Sequence, residues 1–145
     1  MQTTIPAAVL RRIYDVTPER MFEMWTTPEI AQQFLGPDDV KAQDVTMDVR
    51  VGGSYRIVML MPDGERWIVK GVYRVVQPPH RLQMTWVWQE DNADEEHETL
   101  LTLEFNRHGQ GTEVVLTHEQ FAQLESRDGH ARGWEKILDA VARVA

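Results

Sequence analysis

Apolar and polar residues alternate through most of the chain from Ala42 to His118, with the period of two that antiparallel strands require. The period then changes. An apolar stripe with helical spacing of three and four residues is formed by Ala131, Trp134, Ile137, Leu138, Val141 and Ala142. A sheet with one apolar face must bury that face, and this helix is the only long element available. The sequence therefore predicts an α+β fold in which an antiparallel sheet packs against a C-terminal helix.

The alternation assigns an inward row of side chains to each predicted strand. Turn residues separate the strands at 62–65, at Pro78-Pro79 and at 108–111. The predicted inward rows are Tyr55, Ile57, Met59 and Met61; Trp67, Val69, Gly71, Tyr73 and Val75; Leu82, Met84, Trp86 and Trp88; Thr99, Leu101, Leu103 and Phe105; and Val114, Leu116 and His118.

Two short helices are predicted after a first strand at 9–16. Thr17 and Thr27 are each followed by Pro and Glu, which is the order of an N-cap, a first helical residue and a favourable charge in the first turn. We expect the helices at 18–25 and 28–34.

The size, charge and composition of the chain indicate how many domains it has, where it is located and which partners are disfavoured. Its 145 residues suit one domain, 1–145, and it contains no cysteine, which favours a reducing, cytoplasmic location. The formal net charge of −8 disfavours nucleic acid as a partner. No apolar run reaches the length of a membrane span, and the N-terminus lacks the order of a signal peptide.

The inward rows are rich in methionine and tryptophan, of which the chain has seven and five. Methionine adapts to ligands and tryptophan offers flat apolar area, so these rows predict a pliable cavity for a small hydrophobic or amphipathic ligand. Core packing is the alternative for each residue. The residues expected to contact the ligand are Tyr55, Met59, Trp67, Met84, Trp86, Trp88, Phe105, His118, Trp134 and Leu138.

His118 is the one candidate for acid–base chemistry. It lies on the inward side of its strand, where it is either a general base or a hydrogen-bonded structural histidine, which is the commoner case. His130 lies one turn before Trp134 on the final helix, so it either shares the cavity mouth or is a solvated surface group, and the second is favoured.

Other catalytic and cofactor motifs are absent from the sequence. There is no phosphate loop, dinucleotide fingerprint, nucleophile elbow or His-Glu-x-x-His helix, so no cofactor is expected. The acidic run at 90–98 lacks the ligand spacing and central glycine of a calcium loop. We expect a solvated hairpin loop there and no metal site.

Several short motifs, in order along nearly the whole chain, resemble a known family. They are Arg12-Ile13-Tyr14-Asp15, Pro18-Glu19-Arg20, Trp25-Thr26-Thr27-Pro28-Glu29, the run from Asp48 to Arg56, Pro62-Asp63-Gly64, Gly71-Val72-Tyr73, Thr85-Trp86, Gly111-Thr112, Leu116-Thr117-His118 and Gly133-Trp134. The chain resembles the START-like, birch-pollen-allergen-like superfamily. Within it, the chain is similar to the domain homologous to the activator of the ninety-kilodalton heat-shock protein's ATPase.

The resemblance implies a helix-grip fold, in which a strongly curved sheet wraps around the C-terminal helix and encloses a cavity. It leaves three functions open. The first is a non-catalytic holder of a small hydrophobic ligand. The second is a cyclase, dehydratase or hydrolase that uses His118 in the cavity. The third is a protein-interaction module, either a chaperone cofactor or a homodimer.

Overall fold

The computed structural model describes residues 4–145, which form seven antiparallel strands and three α-helices. The strands are β1 (Ala8–Tyr14), β2 (Lys41–Met47), β3 (Ser54–Leu60), β4 (Arg66–Gln77), β5 (Arg81–Trp88), β6 (Thr99–His108) and β7 (Gly111–Glu119). The helices are α1 (Pro18–Thr26), α2 (Pro28–Ala31) and α3 (Leu124–Val144), and a 3₁₀ turn spans Ala93–Glu95. None of the helices in the described part of the chain is long and apolar enough to cross a bilayer.

The seven strands form one curled sheet in the order β1-β7-β6-β5-β4-β3-β2. Helix α3 packs in the concave face and buries Trp134, Ile137, Leu138 and Val141 there. The hydroxyl of Tyr14, at the end of β1, donates to the Leu138 carbonyl at 2.7 Å and so fixes an edge strand to the helix. This arrangement confirms the predicted helix-grip fold, with two short helices after the first strand.

The two threonine caps differ. Thr17 Oγ1 accepts from the Arg20 backbone N–H at 3.2 Å, whereas the side chain of Thr27 forms no capping bond. Helix α2 ends at Ala31, so the prediction that it reaches Phe34 was wrong. Phe34 lies in the turn that follows and is fully buried against the ring of Trp25.

An irregularity in β4 overturns part of the predicted inward row. The pairing of β4 with β5 shifts register between Tyr73 and Val75. After this shift Val76 packs against the core, and Val75 does not take the predicted inward position. A bulge adds one residue to a strand and so reverses the face of every residue beyond it, which alternation alone does not reveal.

Gly71 lets one aromatic side chain cross a whole strand. It pairs directly with Tyr55 of β3, and the Tyr55 hydroxyl reaches over β4 to donate to the Thr85 carbonyl on β5. A Cβ at Gly71 would lie 2.0 Å from that carbonyl oxygen and 2.6 Å from Cε1 of Tyr55. The absence of a side chain at Gly71 is therefore a condition for this three-strand contact.

Replacing Gly71 by alanine is expected to destabilise the protein by at least about 2 kcal/mol, because backbone atoms must move to accept the methyl group. The matched control is Gly129→Ala in α3, where the new Cβ would meet only the Arg132 guanidinium at 3.9 Å. That change should raise the free energy of unfolding by up to about 1 kcal/mol. Urea denaturation measures both, and equal effects of the two changes would contradict the account of Gly71.

Candidate functional site

A cavity of about 320 Å³ that is open to solvent lies between the sheet and α3, and we call it the interface cavity. Its lining comes from the α2–β2 loop, from β3 and the residue that follows it, from β4 and β5, and from α3 between Ser126 and Ile137. The lining residues are Pro37, Val40, Met59, Met61, Trp67, Trp86, Trp88, Ser126, Gly129, His130, Gly133, Trp134 and Ile137. The wall is almost entirely apolar, as ligand cavities usually are.

A larger groove of about 440 Å³ lies near the C-terminal end of α3, but its chemistry is different. Its lining includes Asp38, Lys41, Lys136, Asp139 and Arg143, and several of these charges pair with neighbours on the protein. Such a groove is hydrated and offers little apolar area. The interface cavity is therefore the better candidate site.

Small residues on α3 keep the interface cavity open. Gly129 and Gly133 stand one turn apart on the helix and both line the cavity. A Cβ at Gly133 would have no atom within 4 Å, so a side chain there would enter free space. Each glycine in a helix interior costs about 1 kcal/mol relative to alanine. The two glycines therefore make α3 less stable than alanines would, and they leave open space between the helix and the sheet.

Four indole rings form the aromatic part of the wall. Trp86 stands at the centre, with ring centroids 5.0 Å from Trp134 and 5.9 Å from Trp88. Trp67 packs edge-on against Trp88 at 5.9 Å and is 49% exposed, so it lies at the solvent side of the cluster. These contacts fix the orientation of the rings and leave aromatic surface towards the cavity.

A chain of hydrogen bonds behind the wall ties the helix to three strands. Trp134 Nε1–H donates to His118 Nδ1 at 2.9 Å, so His118 carries its proton on Nε2. That Nε2–H donates to Thr99 Oγ1 at 2.7 Å, and the Thr99 hydroxyl donates to the Trp86 carbonyl at 2.8 Å. Every polar atom in this buried chain has a partner, and the chain has only one consistent direction.

His130 forms a second link of the same kind with the opposite tautomer. Its Nδ1–H donates to the Ser126 carbonyl at 2.8 Å, and its Nε2 accepts from Trp88 Nε1–H at 2.9 Å. Trp67 Nε1–H donates to Glu65 at 3.0 Å. The N–H of Trp86 is shielded from solvent and has no partner among the described residues. The wall therefore presents ring surface, and its other indole donors are already used.

Burial holds both histidines neutral. It lowers the pKa of His118 from 6.5 to about 2, and the nearby His130 adds to this effect. Burial also lowers the pKa of His130, although the bond to the Ser126 carbonyl opposes the change. Protonation of either ring would put two donors face to face at an indole N–H.

His118 is placed as a structural residue. It is fully buried, both of its ring nitrogens are bonded within the protein, and it does not line the interface cavity. A general base needs a free lone pair within reach of the substrate proton. The Nδ1 lone pair of His118 is directed at Trp134, so the geometry gives no support to base catalysis at this residue.

The structure separates the predicted ligand-contacting residues into three groups. Met59, Trp67, Trp86, Trp88 and Trp134 line the interface cavity. Tyr55 and Met84, together with Trp86, line a separate internal cavity of about 20 Å³, which is too small for an organic ligand. Phe105, His118 and Leu138 are packed in the core and line neither space.

Several lining residues were not among the expected ligand contacts, although Met61 was predicted to face inward and the cavity mouth was one alternative for His130. They are Pro37, Val40, Met61, Ser126, Gly129, His130, Gly133 and Ile137. For His130 the favoured interpretation, a solvated surface group, was wrong, because the ring bonds to Trp88 across the interface. Two glycines within an otherwise regular helical pattern were the available signal, since glycine in a helix interior usually has a packing or functional reason.

We expect the stability of the protein to fall as the pH drops below 6.5. Because the folded-state pKa of His118 lies below that of an unfolded histidine, the unfolded chain binds the proton first. The free energy of unfolding therefore has its full value above pH 6.5, where His118 is neutral in both states, and it decreases as the pH falls. Between pH 7.5 and 5.5 His118 alone should lower the free energy of unfolding by about 1.4 kcal/mol.

The control for this titration is His118→Gln, which keeps one acceptor and one donor but has no proton to bind in this range. Urea unfolding of both proteins across the pH series measures the difference. The variant should lose about 1.4 kcal/mol of the pH dependence. An unchanged pH dependence would show that His118 is not the buried neutral group described above.

The fold agrees with solved structures of bacterial proteins. A Chromobacterium violaceum protein matches with a TM-score of 0.85 and 22% identity, over 95% of this chain and 96% of that one. The AHSA1 protein from Silicibacter pomeroyi matches with a TM-score of 0.83 and 25% identity, over 94% and 95%. An Arthrobacter aurescens protein matches with a TM-score of 0.85 and 18% identity, over 97% and 86%. No curated protein matches the sequence.

One family model covers most of the chain. Residues 15–145 match the family described as Activator of Hsp90 ATPase homolog 1-like protein. The match includes α1, α2, strands β2 to β7 and all of α3, and so contains every residue that lines the interface cavity. The chain belongs to the Activator of Hsp90 ATPase homolog 1-like family.

Proposed function

We propose that the protein is a non-catalytic holder of a small apolar ligand with about two fused rings, which it binds in the interface cavity. The observation that carries this proposal is an apolar space of about 320 Å³ in a domain whose core is otherwise closely packed. The space opens to solvent beside the half-exposed Trp67, so its apolar wall stays in contact with water unless a ligand covers it. Two helix glycines maintain this space, and a bound ligand would fill it.

The volume sets the size of the ligand. A closed apolar cavity of about 150 Å³ binds one benzene molecule. The interface cavity has about twice that volume, which corresponds to a bicyclic compound. It also stands at the lower end of the range of roughly 300–1,000 Å³ found for ligand pockets.

The wall favours an aromatic ligand over an aliphatic one. Its rings give offset-stacked and edge-on partners, which are worth about 0.5–1.5 kcal/mol per aromatic pair beyond the area buried. The thioethers of Met59 and Met61 add polarisable contacts and adapt to the outline of the ligand. Three of the four indole donors of the wall are bonded within the protein, so the buried part of the ligand meets few partners for polar groups.

The variant Gly133→Leu tests the proposal with the neutral probe 1-naphthylmethanol. The new side chain would enter the free space beside Gly133 and fill part of the cavity, so binding measured by isothermal titration calorimetry should weaken at least about tenfold. The protein should stay folded, because leucine is a better helix former than glycine and meets no close neighbour at its Cβ.

The matched control is Glu135→Leu, which places the same side chain on the exposed face of α3. It should bind the probe as the unmodified protein does. Absence of binding by the unmodified protein, or equal binding by Gly133→Leu with an unchanged melting temperature, would overturn the proposal.

A further inference from the structure

A second, smaller space adjoins the interface cavity, and we call it the vestibule. Its volume is about 130 Å³. Its lining residues are Trp86, Trp88, Glu90, Glu95, His97, Thr99, Ser126 and His130. Four of these also line the interface cavity, so the two spaces share a wall made of Trp86, Trp88, Ser126 and His130. Glu90, Glu95 and His97 are exposed, and the vestibule opens to solvent beside them.

Other carboxylates of the same acidic run are paired with basic side chains. Glu96 pairs with Lys70 at 3.1 Å and Glu98 pairs with Arg74 at 3.6 Å. Within residues 4–145, neither Glu90 nor Glu95 forms a salt bridge, and no lysine or arginine lines the vestibule. The vestibule is therefore lined by two carboxylates with no lysine or arginine, and the imidazole of His97, which also lines it, donates its Nε2–H to the Gln120 carbonyl at 2.7 Å.

The remaining wall of the vestibule suits a positive charge. Trp86 and Trp88 stand edge-to-face with ring centroids 5.9 Å apart, and both line the space. Indole is the best aromatic partner for a cation, and organic ammonium ligands are recognised by groups of aromatic rings. His130 adds no opposing charge, because burial lowers its pKa and its Nδ1–H and Nε2 are both bonded.

The other opening of the interface cavity has no excess of negative charge. The open groove there is lined by Asp38, Asp39, Arg132 and Lys136, which are two charges of each sign. Lys136 and Asp38 pair at 3.3 Å. A charged ligand group would therefore gain little at this end, whereas the vestibule distinguishes cations from anions.

We infer that the ligand is an aromatic amine whose bicyclic body fills the interface cavity and whose ammonium group lies in the vestibule between Glu90, Glu95 and the rings of Trp86 and Trp88. This inference rests on the proposed function and adds the chemical class of the ligand. The bond between Trp88 and His130 belongs to the wall that both spaces share, so the linker between ring and amine has to cross that wall beside it.

Three probes of similar size and different charge test the inference: 1-naphthylmethylamine, 1-naphthylmethanol and 1-naphthoate. The ammonium compound should bind the unmodified protein about tenfold more tightly than the alcohol, from one cation–π contact and partly exposed ion pairs. The carboxylate should bind more weakly than the alcohol. Calorimetry at moderate ionic strength gives the three affinities, and added salt should reduce the advantage of the amine.

The double variant Glu90→Gln/Glu95→Gln should lose the preference for the amine and keep the affinity for the alcohol. Its matched control is Asp91→Asn/Asp94→Asn, which removes the same charge from the same loop outside the vestibule and should keep most of the preference. If the alcohol binds and the amine binds no better, the inference fails while the proposed function stands. If no probe binds, both fail. Equal loss in the two double variants would assign the preference to net charge and overturn the site.

Discussion

The hydrogen-bond chain from Trp134 through His118 and Thr99 to the Trp86 carbonyl holds helix α3 against the sheet. It begins on α3 and crosses β7, β6 and β5, which are neighbours in the sheet. A buried polar network is stabilising only if every member is satisfied, and here each donor has an acceptor. The network therefore fixes the distance between helix and sheet, and that distance sets the depth of the interface cavity.

The apolar character of the cavity follows from the same bonds. Trp134 and Trp88 each direct the indole N–H at a histidine, so their rings present carbon surface to the open space. Gly129 and Gly133 supply the width that the network alone does not provide. Both features are needed. If the distance between helix and sheet were fixed but α3 carried larger side chains at these positions, those side chains would fill the space and give an ordinary packed core.

Much of the fold is readable from the sequence, and the site is readable only in part. Alternation placed Met59, Trp86 and Trp88 on the inward face, and helical spacing did the same for Trp134. Periodicity says which face is buried, but it does not distinguish a cavity wall from a packed core, so Phe105 and Leu138 have the same pattern as the lining residues.

Other features depend on contacts between distant parts of the chain. The register shift after Tyr73 moved Val75 from its predicted row, and the bond between Trp88 and His130 joins residues 42 apart.

The most direct measurement of ligand binding between the sheet and α3 is an NMR titration of the five indole N–H signals with 1-naphthylmethanol, assigned by Trp→Phe variants. The signals of Trp67, Trp86, Trp88 and Trp134 should shift, while that of Trp25, which lies outside the cavity wall, should stay in place. Unchanged cavity signals, or an equal shift of Trp25, would contradict a ligand site between the sheet and α3.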